Sequence, residues 1–114
     1  MDRWIGEVLG AKGRPYMEEA TVRQHAEAHA AANVAGDMAR AASDLTAEAR
    51  ANIGPVARRL PRPITSGTVT TIEQAAPDRF VVEIDYRGPD SSAVVESVWV
   101  EEEGRPMIAE TRIV

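Results

Sequence analysis

The chain is 114 residues long, 44% hydrophobic and 27% charged, with 13 basic against 18 acidic side chains and a net charge of −5. That length suits one domain with a single core, and the negative balance argues against a nucleic-acid partner, which is held by Lys and Arg neutralising phosphates. The absence of cysteine removes disulfides, thiolate metal sites and a cysteine nucleophile, and no run approaches the roughly 20 apolar residues of a membrane helix.

Near the N-terminus Trp4, Ile5, Val8 and Leu9 keep helical spacing. Gly6, Gly10 and Gly13 each weaken a helix by about 1 kcal/mol, and Arg14-Pro15 ends it. Residues 1–16 therefore read as a loosely ordered tail, or as an arm that lays Trp4 and Leu9 on its own domain or on a partner. The domain is expected at residues 17–114. The first residues lack the basic start and long apolar run of a secretion signal, so a cytoplasmic location is the expectation.

A first long helix is predicted over residues 15–35. Pro15 suits a first-turn position, and Glu18 and Glu19 complement the positive end of the dipole. Its inward stripe holds Val22, Ala26, His29, Ala30 and Asn33, and Gly36 ends it. Two polar residues one turn apart on a stripe of small apolar ones either find partners in the core or border a cavity. His25 lies one turn before His29, a spacing that can hold a metal, but no third ligand accompanies the pair and no metal site is expected.

Asp37 is placed to cap a short second helix with Met38, Ala41, Ala42 and Leu45 inward, and Thr46 to cap the next helical segment. Ile53, Val56, Ala57 and Leu60 continue the helical pattern to residue 60, with an interruption at Gly54-Pro55. Arg58, Arg59 and Arg62 read as a solvated helix end. Pro61-Arg62-Pro63 then turns the chain into strands predicted at 66–74, 79–87, 93–101 and 106–114, joined by short turns and so antiparallel. Alternation points Phe80, Val82, Ile84, Tyr86, Met107, Ala109 and Thr111 toward the helices. In the third strand either Val94, Val98 and Val100 or Val95, Ser97 and Trp99 do so. Helices first and strands after make an α+β domain, helices packed on a strongly curved antiparallel sheet, a cone-shaped half-barrel.

The order of these pieces resembles the nuclear transport factor 2-like superfamily, also called SnoaL-like or the cystatin-like cone fold. The matching elements are Ala31-Ala32-Asn33-Val34-Ala35-Gly36-Asp37 after the long helix, Asp44-Leu45 in the short one, Leu60-Pro61, and Trp99 ahead of Glu103-Gly104-Arg105-Pro106. The resemblance covers about residues 17–114. It implies a conical pocket between sheet and helices, and homodimers formed sheet against sheet. The superfamily holds isomerases, epoxide hydrolases and cyclases alongside binding and assembly domains, so fold alone does not select a function.

Family residues transfer poorly. Where isomerase-like members carry a base carboxylate, this chain has Asn52 and Ile53, neither of which can take a proton. Glu48 falls in the first turn after Thr46, where it stabilises a helix start. The epoxide-hydrolase pattern has candidates in Glu83, Asp85 and Arg87, all on the face opposite Phe80, Val82, Ile84 and Tyr86. What is left is an apolar pocket between the first helix and the sheet, bordered by His29, Asn33, Tyr86 and Trp99, unless these simply fill core. Trp99 is placed at a pocket edge or a sheet-to-sheet contact.

The expectation is a small non-catalytic ligand-binding or assembly domain, with no cofactor and a small apolar ligand. The competing expectation is an isomerase, cyclase or hydrolase type of enzyme with His29 as general acid or base, a role open to histidine because it titrates near neutrality.

Overall fold

The computed structural model describes residues 17–114; the readings of residues 1–16 as tail or arm, and of Pro15 as a first-turn residue, lie outside them. Four helices, α1 (Glu19–Ala35), α2 (Met38–Ala42), α3 (Ala47–Ala51) and α4 (Gly54–Ala57), precede four strands, β1 (Ser66–Ala76), β2 (Arg79–Arg87), β3 (Ser92–Glu102) and β4 (Arg105–Ile113). The strands form one antiparallel sheet in the order β1-β2-β3-β4. The α+β architecture thus agrees closely with the hydrophobic patterning.

The local stops and starts fall where side-chain chemistry puts them. α1 ends at Gly36, whose φ of 75° lets its N–H return to the carbonyls of Ala32 and Asn33. The Asp37 carboxylate caps α2 through Arg40 N, and the Thr46 hydroxyl caps α3 through Ala49 N. The helical pattern over residues 47–60 resolves into two short helices, because Gly54-Pro55 starts α4 afresh. Arg58, Arg59 and Arg62 are exposed, as expected of a solvated helix end.

The core lies between α1 and the sheet. Val22, Ala26 and Ala30 meet Phe80, Val82, Ile84, Tyr86, Val95, Trp99 and Ile108, all buried. β3 turns Val95, Ser97 and Trp99 inward and leaves Val94, Val98 and Val100 half-buried on the other face. That decides between the two alternatives for this strand.

β4 departs from simple alternation. Met107 and Ala109, expected inward, face outward, and Pro106 and Ile108 are the buried residues. The cause is a bulge: Trp99 pairs with Ile108 but Val98 pairs with Glu110, leaving Ala109 as an extra residue. Beyond it the phase is reversed, so Thr111 is opposite the inward Ser97 and Ile113 opposite Val95. β1 carries matching irregularities at Thr70 and Ala75. One inserted residue exchanges the two faces of a strand, and no local pattern in Met107–Thr111 announces it.

β3 and β4 are joined by the two-residue turn Glu103-Gly104, with φ of 54° and 84°. Two left-handed residues make the turn whose twist matches flanking strands, and Glu103 adopts it at some steric cost. Gly104 N donates to Glu101 Oε2 at 2.6 Å, which holds the turn closed. Its effect on the rest of the molecule is to set the position of Arg105.

Candidate functional site

Asp44 is the centre of the site, although hydrophobic patterning does not single it out. It lies just beyond α2, and its backbone is fixed to β4: Ile108 N donates to Asp44 O at 2.7 Å, and Thr46 N to Ile108 O at 2.9 Å. The side chain is 0% exposed, so its carboxylate needs partners. It has three. His29 Nδ1 donates to Oδ2 at 3.0 Å and Arg40 to the same oxygen at 2.7 Å, while Arg105 donates to Oδ1. Burial pushes the carboxyl pKa up. The hydrogen bond and charge of His29, the Arg105 hydrogen bond and the Arg40 charge outweigh that and hold it below the usual aspartate value. Asp44 is therefore an anion, and Nδ1 of His29 carries the hydrogen between them.

From this point the hydrogen positions are dictated in turn. With its hydrogen on Nδ1, a neutral His29 offers a lone pair at Nε2. Asn33 Nδ2, one turn further along α1, stands 3.3 Å from that nitrogen and donates to it. The same amide nitrogen donates its second hydrogen to Tyr86 Oη at 2.9 Å. A chain of directed bonds thus runs carboxylate, imidazole, amide, phenol, from the end of α2 through α1 to β2. Tyr86 is 2% exposed, and burial raises its pKa to about 12, moderated by the Asn33 hydrogen bond and reinforced by the Asp44 charge. Its phenol stays protonated at neutral pH, and that proton has no acceptor among the described residues.

Three of the four expected site residues, His29, Asn33 and Tyr86, are brought together on the wall of a cavity of about 250 Å³. The rest of the wall is largely apolar: Ala41 and Leu45 from the second helix and its end, Ile53, Val56 and Leu60 around α3 and α4, and Ile84, Val95 and Ile108 from the sheet. Met38 also lines it while 55% exposed, so it stands at the opening. Ser97 is on the wall, but its hydroxyl is committed: it accepts from Trp99 Nε1 at 2.9 Å and donates to Val82 O at 3.3 Å.

Trp99 requires a correction. It neither lines the cavity nor reaches the outer face of the sheet; it is 0% exposed and lies edge-on to the His29 ring, with centroids 6.1 Å apart at 86°. Its inward orientation and the hydrogen bond to Ser97 pin it behind the imidazole, where it fixes the ring plane of His29.

The other sequence candidates are placed clearly. Ile53 is on the cavity wall, whereas Asn52 is exposed and donates to Glu48 O at 3.0 Å, so that segment supplies no base. Arg87 and Asp85 pair with each other at 3.0 Å on the outer face, away from the cavity. Half-buried His25 is on the Asp44 side of α1; burial, then the nearby Arg105 charge, lowers its pKa, with Arg40 adding and Asp44 opposing. Among the described residues there is no group of three or more His, Asp or Glu that could hold a metal ion. No described helix is long and apolar enough to cross a membrane.

The signal for Asp44 is present in part. Arg40 and Asp44 are one turn apart, and Asp44 precedes the inward Leu45. Its third partner, Arg105, is 61 residues away and cannot be found from local spacing. Comparison of the chain with protein-family models, with curated proteins and with solved structures found no match in any of the three.

Proposed function

We propose that this chain is a non-catalytic small-molecule-binding domain of the nuclear transport factor 2-like kind, holding an apolar ligand between α1 and the sheet. One observation carries the reading: a cavity of about 250 Å³ with an almost wholly apolar wall and one cluster of polar groups on one side, the usual make-up of a ligand pocket. An engineered apolar cavity of about 150 Å³ takes up benzene, so a cavity of this size suits a molecule somewhat larger than one aromatic ring. The His29 Nε2 lone pair is engaged by Asn33 rather than turned free into the cavity, which favours binding over base catalysis.

The proposal includes the cone: irregularities at Thr70, Ala75 and Ala109 increase local twist and bend a strand, in keeping with a sheet that wraps the pocket. It also includes a homodimer through the outer face, where Val81, Val98, Val100 and Met107 are half-buried. A cytoplasmic location completes it. Calorimetric titration with bicyclic hydrocarbons and their oxygenated relatives tests the pocket, and saturable binding that Leu45→Trp abolishes is the expected result. Failure of every such compound to bind overturns it. Sedimentation velocity tests the dimer, which Val98→Glu is expected to dissociate.

A second reading has a specific observation behind it. Asp44 holds Nδ1 of His29 at 3.0 Å from behind the cavity wall that His29 lines, the arrangement that orients an imidazole for acid–base work, so the domain would be an enzyme with His29 as its base. In that case His29→Gln abolishes turnover of a bound compound while leaving its affinity near that of the parent.

A further inference from the structure

The phenol proton of Tyr86, which has no acceptor among the described residues, says what a ligand of this pocket must carry. Asn33 Nδ2 donates to Tyr86 Oη and lies 3.3 Å from His29 Nε2, so the amide presents its NH2 and not its carbonyl to both; with Nδ1 of His29 donating to Asp44, Nε2 accepts from that NH2 in the neutral imidazole. Tyr86 Oη therefore accepts one hydrogen bond from Asn33, and its own hydrogen must go elsewhere. At 2% exposure, and with no acceptor among the described residues, that hydrogen is a buried unpaired donor on a cavity wall. Such a group carries a desolvation penalty until something accepts from it. Of the hydroxyls on the wall, that of Ser97 is already committed to Val82 and Trp99.

We infer that the Tyr86 hydroxyl is the ligand-orienting donor of the pocket, and that its ligand is a neutral bicyclic-sized apolar molecule bearing a carbonyl-type oxygen, which accepts from Tyr86 Oη. This rests on the binding reading above and deepens it. Asp44, His29 and Asn33 are positioning residues: none needs to touch the ligand, and together they keep the phenol a donor. A ligand hydroxyl can also accept here, but its own hydrogen then needs a second acceptor, so the site prefers a ketone to the matching alcohol. The size comes from the cavity: scaled from benzene in about 150 Å³, a cavity of this volume takes roughly ten ring carbons.

The test uses three probes of one shape, tetralin, 2-tetralone and 2-tetralol, titrated calorimetrically into the parent protein and into Tyr86→Phe. Comparing ratios within each protein cancels the differing hydrophobicity of the probes. The ketone-to-hydrocarbon affinity ratio is expected to fall roughly three- to tenfold in Tyr86→Phe, the worth of one hydrogen bond, with tetralin binding retained. An unchanged ratio overturns the inference and leaves the binding reading standing; it is also the result expected if a water satisfies the phenol. If none of the probes binds the parent protein, the binding reading falls and the inference with it. Asn33→Asp gives an independent check, because a carboxylate there accepts the Tyr86 proton and turns the oxygen's lone pair to the cavity. The preference should then invert, 2-tetralol over 2-tetralone, and a retained ketone preference in that variant would overturn the assignment of the donor.

Discussion

The two sides of the cavity are built on different principles. On one, His29, Asn33 and Tyr86 are joined to buried Asp44 by hydrogen bonds of 2.9 to 3.3 Å, each of which fixes the direction of the next. On the other, Ile53, Val56, Ala57 and Leu60 come from two helices of five and four residues and their flanks, held by packing and short caps. The directional side can discriminate among ligands but adapts poorly, since one broken bond leaves a buried polar group. The apolar side supplies most of the burial and tolerates changes of shape. Affinity and selectivity are thereby assigned to different segments of one small chain.

The directional side is most vulnerable at Asp44. Asp44→Asn leaves Arg40 and Arg105, 39% and 37% exposed, without their anion and offers one acceptor oxygen and an NH2 where His29, Arg40 and Arg105 all donate. A loss of about 3 kcal/mol is expected in chemical denaturation, at the lower end for a buried pair because the arginines reach solvent. On the apolar side Leu45→Ala should cost less, about 2 kcal/mol, because the side chain already borders open space and little new cavity is made. It should leave the ketone-to-hydrocarbon ratio unchanged, and a change in that ratio would show that the two sides are not independent.

Titration separates the two sides further, since only one of them carries ionisable groups. A phenol whose folded pKa is raised from 10 to about 12 adds stability below pH 10 that is lost as pH rises through that window. Alkaline melting should therefore show a loss of about 1–2 kcal/mol that Tyr86→Phe lacks. On the acid side the sign is the opposite. The depressed carboxyl of Asp44 contributes stability present above the ordinary aspartate range and lost as pH falls below it. His25, also depressed, adds a loss that starts as pH drops through 6.5. His25→Gln should remove only that first step from a plot of melting temperature against pH.

How much is legible in the sequence depends on the range of the interaction. Caps at Asp37 and Thr46, the stop at Gly36, the break at Gly54-Pro55 and the inward run Phe80, Val82, Ile84 and Tyr86 are all set by neighbours within a few residues, and the sequence displays them. His29 and Asn33 can be singled out because polar residues on a small apolar stripe demand partners. The outward turn of Met107 and Ala109 cannot, because the bulge at Ala109 reflects how β4 fits β3 and the Asp44–Thr46 segment as a whole. Trp99 escapes local reasoning for a related reason: alternation allows both faces, and only the hydrogen bond to Ser97 and the packing on His29 decide between them.

The Arg105 clamp has a consequence for the order in which the molecule assembles. Arg40 and His29 are 4 and 15 residues from Asp44, but Arg105 is 61 away, and Asn33 is 53 from Tyr86. Contacts of long sequence separation close large loops and come late in folding. The α1–α2 hairpin can form early, yet the phenol acquires its partner only when β2 docks, and the carboxylate is neutralised fully only when the Glu103-Gly104 turn delivers Arg105. Binding competence should therefore appear in refolding as a slower event than helix formation, which makes ligand capture a reporter of the last step of folding and not of collapse.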